Sequence, residues 1–126
     1  MAKVLLVDDD DLLRCILTEV MISQGYEVIE AADGRPVADM IIREEPDILI
    51  TDLIMPEQEG LKTIQQARAL RPQLPIIAIS GGGRTVSTDF LQVALIMGVN
   101  ATLTKPFDHN QLVALVDQFT GKAKAA

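Results

Sequence analysis

Three carboxylates and one ammonium stand where short apolar runs stop. Asp8 and Asp9 follow Val4-Leu5-Leu6-Val7, Asp52 follows Ile48-Leu49-Ile50-Thr51, and Lys105 follows Ala101-Thr102-Leu103-Thr104. A further run, Ile76-Ile77-Ala78-Ile79, ends in the hydroxyl of Ser80, with Gly81 leaving space beside it. Carboxylates about 5 Å apart repel by roughly 3 kcal/mol per pair at an effective dielectric near 20. Such a group either retains a proton or binds a cation. Oxygen-only donors favour a hard ion such as Mg2+, which keeps several waters and takes a phosphate oxygen. Zinc fits poorly in a chain with one Cys and one His. Lys105 supplies a mobile positive charge suited to a phosphoryl oxygen. An aspartate, a metal and a lysine together suit phosphoryl transfer to a carboxylate.

These residues meet only if the apolar runs are strands of one sheet. Continuous apolar runs mark strands buried on both faces, and such sheets place ligands outside the carboxyl ends of their strands. Strand and helix patterns alternate along the whole chain. A strand over about 3–7 precedes a helix bearing Leu12, Leu13, Ile16, Leu17, Val20 and Met21, stopped by Gly25. Glu27-Val28-Ile29-Glu30 forms a second strand, and Asp33 is placed to cap a helix whose Val37, Met40 and Ile41 face inward. Pro46 ends that helix and Asp47 opens the third strand; after Asp52, Met55-Pro56 turns into a helix with Leu61, Ile64, Ala67 and Leu70. Pro72 and Pro75 bracket the loop before the fourth strand. A helix with Phe90, Val93, Ala94 and Met97 follows Gly81-Gly82-Gly83 and closes at Gly98. The fifth strand runs to about Thr104, and a last helix carries Leu112, Leu115, Val116 and Phe119. Alternating units of this kind predict an α/β, doubly wound, five-stranded parallel sheet with helices on both faces. The expected order is the flavodoxin-like 2-1-3-4-5, which sets Asp8-Asp9 beside Asp52 at the switch point.

The 126 residues suit one domain, expected over 1–121, with 122–126 a frayed tail. Eighteen acidic against eleven basic residues give a net charge of -7, which argues against direct binding to nucleic acid or to an anionic membrane. No apolar run approaches the roughly 20 residues that span a bilayer. Met1-Ala2-Lys3 leads straight into a strand, and the single Cys15 allows no intrachain disulfide, so a cytoplasmic setting is expected.

Taken one at a time, these residues have ordinary readings. Asp10 and Asp11 suit a solvated helix start. Asp52 alone suits a turn, Ser80 alone a cap, and Lys105 alone a surface charge. The three glycines lack the Gly-Lys-Ser/Thr ending of a nucleotide loop. His109 is expected exposed near a helix start, Cys15 in the core, and Met40, Met55 and Met97 in packing roles.

Taken together, Val7-Asp8-Asp9, Asp52-Leu53-Ile54-Met55-Pro56-Glu57-Gln58-Glu59-Gly60, Ser80-Gly81 and Lys105-Pro106-Phe107 resemble the receiver domain of two-component response regulators. The likeness covers essentially the whole chain. It implies that Asp52 accepts phosphate from a phosphohistidine on a histidine kinase or phosphotransfer protein. Asp9 and Asp52 would ligate Mg2+ with the backbone carbonyl of Ile54, and Asp8 would act largely through metal-bound water. Ser80 would hydrogen-bond the phosphoryl group and Lys105 would pair with another of its oxygens. The Lys105-Pro106 bond is expected to be cis, as in similar domains, which helps aim the lysine. The protein would then be a switch that assists its own phosphotransfer and dephosphorylation, with phosphate favouring a minor conformer.

Some positions depart from the family pattern. Thr102 stands where receivers often carry a Tyr or Phe that changes rotamer, so a ring cannot relay the signal here. The glycine run after the fourth strand suggests that ordering of this loop and the next helix replaces that relay. Ile54 is apolar where many receivers are polar, which alters access of water and so the phosphoryl lifetime. The family's usual output face would include Phe90, Gln92 and Ala101 to Lys105, its target protein being unknown; a phosphorylation-dependent dimer is one further output open to it. The chain reads as a stand-alone receiver or as one cut from a larger regulator or hybrid kinase. The competing classes fit less well. A haloacid-dehalogenase-like phosphatase needs an acid two residues after its nucleophile, where this chain has Ile54. An FMN carrier needs anion donors after the first strand, where this chain has four acids.

Overall fold

The apolar runs form the centre of one sheet. The computed structural model describes residues 2–53, 60–81 and 87–121, with only the backbone course of 87–91. Its strands are β1 (Lys3–Val7), β2 (Glu27–Ala31), β3 (Ile48–Asp52), β4 (Ile76–Ser80) and β5 (Ala101–Thr104), all parallel in the order β2-β1-β3-β4-β5. The expected flavodoxin-like order is therefore the observed one. Between the strands lie α1 (Asp11–Ser23), α2 (Val37–Glu44), α3 (Gly60–Leu70), α4 (Ser87–Ile96) and α5 (His109–Thr120).

Alternation along the central strands divides the core in two. Leu5, Val7, Leu49, Ile76 and Ala78 face Val37, Ile41, Ile64, Ala67 and Ala94 of α2, α3 and α4. Val4, Leu6, Ile48, Ile50, Ile77 and Ile79 face Leu17, Met21, Leu112 and Val116 of α1 and α5. Burying a side chain of this size contributes about 1.5–3 kcal/mol, so the three central strands anchor the fold. Their carboxyl ends are correspondingly rigid platforms for whatever follows them.

Local chemistry sets the helix ends, with two departures from expectation. Asp10 caps α1, its carboxylate accepting from the Leu13 N–H at 3.1 Å. Asp108 and Gln111 cap α5 reciprocally. Asp33 does not cap α2: Pro36 fills that position without a side-chain bond. The Asp33 carboxylate instead accepts from the Arg35 N–H at 2.8 Å and pairs with its guanidinium. Pro36 explains the delay, because its fixed φ and missing N–H suit the step into a helix. Cys15 is exposed rather than in the core. It lies two residues from buried Leu17, or about 200° around the helix, on the opposite face. Met40 and Met97 pack against the core as expected, and His109 is exposed at the start of α5. Met55, Gly82, Gly83, Phe90 and the tail fall outside what is described. Among the described residues, no helix is long and apolar enough to cross a membrane.

Candidate functional site

The carboxyl ends of β1, β3, β4 and β5 bring the charged residues to one rim. Asp8 follows β1 directly and is 1% exposed. Its N–H donates to the Ala31 carbonyl at 3.2 Å, and its Oδ1 accepts from the Asp10 N–H at 2.9 Å. Asp52 ends β3 and is buried, while Asp9 is exposed. Carboxylate oxygens of Asp8, Asp9 and Asp52 all lie within 4.8 Å of one another.

Lys105 closes the cluster from β5. Its backbone N–H donates to the Ser80 carbonyl at 2.8 Å, which carries the ladder one step beyond the strand. Its Nζ donates to Asp52 Oδ2 at 2.9 Å and stands 3.1 Å from Asp8 Oδ2. Burial alone would lower the lysine's pKa. The hydrogen bond to Asp52 and the charges of Asp52 and Asp8 outweigh it, so the ammonium holds its proton above the usual lysine value. The Lys105-Pro106 bond is cis. Ser80 ends β4 and is 1% exposed, its buried Oγ accepting and donating no hydrogen bond among the described residues. Thr102 lies on β5 opposite Ala78 and is half-buried. Ile54 lies outside the described residues.

The donor set fits a hard dication. It consists of carboxylate oxygens, and the buried Asp8 Oδ2 accepts no well-aligned hydrogen bond despite the nearby ammonium. Three negative charges against one positive charge leave the rim short of cation. A cleft of about 590 Å³ opens beside Lys105, between α1 and the start of α5, and is walled by Leu12, Ile16 and Phe107. Leu12 is 71% exposed there, a large apolar side chain on open surface next to the acidic rim.

Two residues position this rim through main-chain contacts that residue types alone do not reveal: Arg14, and Gly60 at the end of the motif that begins with Asp52. The guanidinium of Arg14 donates from Nη1 to the Asp8 carbonyl at 2.6 Å. Its spacing three residues after Asp11 was visible, but a contact to a backbone oxygen leaves no mark in residue types. Gly60 opens α3, and its N–H donates to the Leu53 carbonyl at 2.9 Å. A Cβ on Gly60 would overlap the Asp52 carbonyl and come within 2.5 Å of Leu53 Cα. Close approach of α3 to the β3 end therefore requires glycine.

This fold and this rim together define a receiver. The response regulator receiver domain model matches residues 4–117, and the chain belongs to that family. Its members are the phosphoacceptor switches of two-component signalling. Among curated relatives, sporulation initiation phosphotransferase F of Bacillus subtilis is 26% identical over 117 residues, spanning 93% of this chain and 92% of that protein. Among solved structures, a response regulator from Chloroflexus aurantiacus is 31% identical, with a TM-score of 0.85 over 95% of this chain and 98% of that one. A chemotaxis protein of Vibrio cholerae is 28% identical, with a TM-score of 0.83 over 94% of this chain and 98% of that one.

Proposed function

We propose that Asp52 is the phosphoacceptor, taking a phosphoryl group from a phosphohistidine on a histidine kinase or phosphotransfer protein. The observation that carries this reading is the Asp52–Lys105 pair, with carboxylate oxygens of Asp8 and Asp9 within 4.8 Å of one of Asp52. Asp8, Asp9, Asp52 and the backbone carbonyl of Ile54 would hold Mg2+. Bound there, the ion supplies positive charge against the gathering oxygens and a ligand position for the phosphoryl group.

The transfer balances without another co-reactant. An Asp52 carboxylate oxygen forms the new bond to phosphorus as the bond from phosphorus to imidazole nitrogen breaks. The electron pair stays on the imidazole, which takes up a proton from solvent as it leaves. Lys105 then releases Asp52 Oδ2 and pairs with a phosphoryl oxygen, while the Ser80 hydroxyl turns to donate to another. The exposed Leu12 and Ile16 beside the cleft offer apolar surface over which a donor protein can seat its histidine. Ser80 and the stretch of β5 at Thr102 then bias the conformer that the target protein reads. With threonine at 102, that bias passes through the Ser80 loop and α4 rather than through a ring. The same site assists hydrolysis of the acyl phosphate, so the signal decays.

The test is chemical. Incubation with Mg2+ and a small acyl phosphate or phosphoramidate is expected to add one phosphoryl group, labile to hydroxylamine, and Asp52→Asn is expected to abolish it. A wild type that gains no mass, or labelling undiminished in Asp52→Asn, overturns the reading.

A further inference from the structure

We infer that Arg14 is a positioning residue for the acidic cluster, holding the Asp8 carbonyl so that the Asp9 carboxylate is aimed at Asp8 and Asp52. This rests on reading the cluster as a Mg2+ site.

The three carboxylates are held very differently. Asp8 Oδ1 accepts from the Asp10 N–H, and Asp52 Oδ2 accepts from Lys105. Asp9 is exposed, and its carboxylate has no hydrogen bond among the described residues. Its direction must therefore come from the backbone. The peptide joining Asp8 to Asp9 is planar, so fixing its carbonyl oxygen fixes the plane from which Asp9 departs. On the far side Asp10 is already held as the cap of α1. The Asp8 carbonyl is thus the remaining pivot, and Arg14 Nη1 grips it at 2.6 Å.

The grip is itself braced from two elements. Arg14 Nε donates to Glu30 Oε1 of β2 at 3.1 Å, and Nη2 donates to Asp11 Oδ1 of α1 at 2.8 Å. The side chain is only 16% exposed. A rigid planar fork meets three acceptors at once, which a lysine's single ammonium on a flexible stem does not reproduce. Arg14 touches no carboxylate of the cluster, so its effect on the ion is indirect.

The experiment is calorimetric titration of Mg2+ into wild type, Arg14→Lys, Arg14→Ala and Glu30→Gln, each also melted without metal. Arg14→Lys is expected to weaken Mg2+ binding by about tenfold, with a metal-free melting temperature close to wild type. Glu30→Gln, which loosens the brace but leaves the fork, is expected to fall between them. In metal-free amide spectra of Arg14→Lys, Asp9 and Asp10 are expected to shift more than the residues of α1 beyond the substituted turn. Unchanged Mg2+ affinity in Arg14→Lys overturns the inference alone. Affinity lost only in proportion to metal-free stability overturns it too, by making the role merely structural. If Arg14→Ala fails to fold, the lysine and Glu30 variants decide. A wild type that binds no Mg2+ overturns the metal reading, and this inference with it.

Discussion

Lys105 donates to Asp52 across an intervening strand, its Nζ 2.9 Å from Asp52 Oδ2, although β4 separates β5 from β3. The same ammonium is 3.1 Å from Asp8 Oδ2. It therefore sits against two oxygens for which a dication competes, and the two roles assigned to the lysine pull in opposite directions. Replacing it with an uncharged side chain removes the competitor. Lys105→Met is expected to tighten Mg2+ binding on the order of tenfold, since a unit charge near a dication is worth more than 1 kcal/mol even in water. Phosphoryl labelling should fall in the same variant, because the phosphoryl oxygen assigned to Lys105 loses its partner. Calorimetry and mass measurement on one sample check both, and weaker Mg2+ binding would contradict the competition.

Asp9 presents the complementary case. It is exposed, makes no hydrogen bond among the described residues, and faces two carboxylates within 4.8 Å. Its local benefits are the favourable placing of an acid just before a helix, about 0.3–1 kcal/mol, and the pull of the Lys105 ammonium, which is already paired with Asp8 and Asp52. Repulsion from two neighbours exceeds these. Asp9→Asn is expected to raise the metal-free melting temperature by about 2–4 °C while abolishing Mg2+-dependent labelling. Thermal melts in EDTA, with labelling alongside, test the trade. A fall in melting temperature would mean that repulsion is not what the cluster stores.

The gathering of Asp8, Asp9, Asp52 and Lys105 was legible in the sequence because each ends a continuous apolar run. Buried parallel strands place such ends on one edge. The strand order was legible from the alternation of five strand and helix units, whose right-handed crossovers favour 2-1-3-4-5 and so set the first and third runs side by side. Helix edges were less so. Asp33 has the composition of a cap, yet Pro36 delays the helix and Asp33 closes a turn instead. Cys15 is apolar enough for a core and sits on the wrong side of α1. Arg14 and Gly60 act through the carbonyl of Asp8 and the backbone at Asp52. Residue types do not encode contacts to main-chain atoms, which depend on how two elements are set in space.

Gly60 yields a prediction from that backbone contact. A methyl at this position collides with main chain at Asp52 and Leu53 rather than with a side chain able to yield. Overpacking of this sort costs about 1–3 kcal/mol. Gly60→Ala is expected to lower the unfolding free energy by that amount, read as a lower urea midpoint with the slope unchanged, and to cut labelling of Asp52 beyond what the lost stability explains. An unaltered midpoint would show that α3 moves aside freely.

At the opposite end of the sheet, alkali tests a separate contact. Tyr26, just before β2, is 3% exposed and its hydroxyl bonds to Asp117 and, at 3.2 Å, to Thr120 of α5. Burial and then the Asp117 carboxylate push its pKa up to about 12. A free tyrosine ionises near pH 10, so between about pH 10 and 12 the folded chain keeps a proton that the unfolded chain has lost. Stability from this group is complete below pH 10 and falls as pH rises through 12. Lys105 adds to the same slope, since its raised pKa also holds a proton that the unfolded chain releases. Tyr26→Phe is expected to cost about 1–2 kcal/mol at neutral pH, by leaving Asp117 without its donor. The variant should also lose stability less steeply in alkali than wild type, with Lys105 and Lys3, both raised, contributing to the remaining slope. Denaturant unfolding across this range, read beside tyrosinate absorbance of the wild type, provides the check. Ionisation of Tyr26 near pH 10 in the folded protein would remove the basis for the prediction.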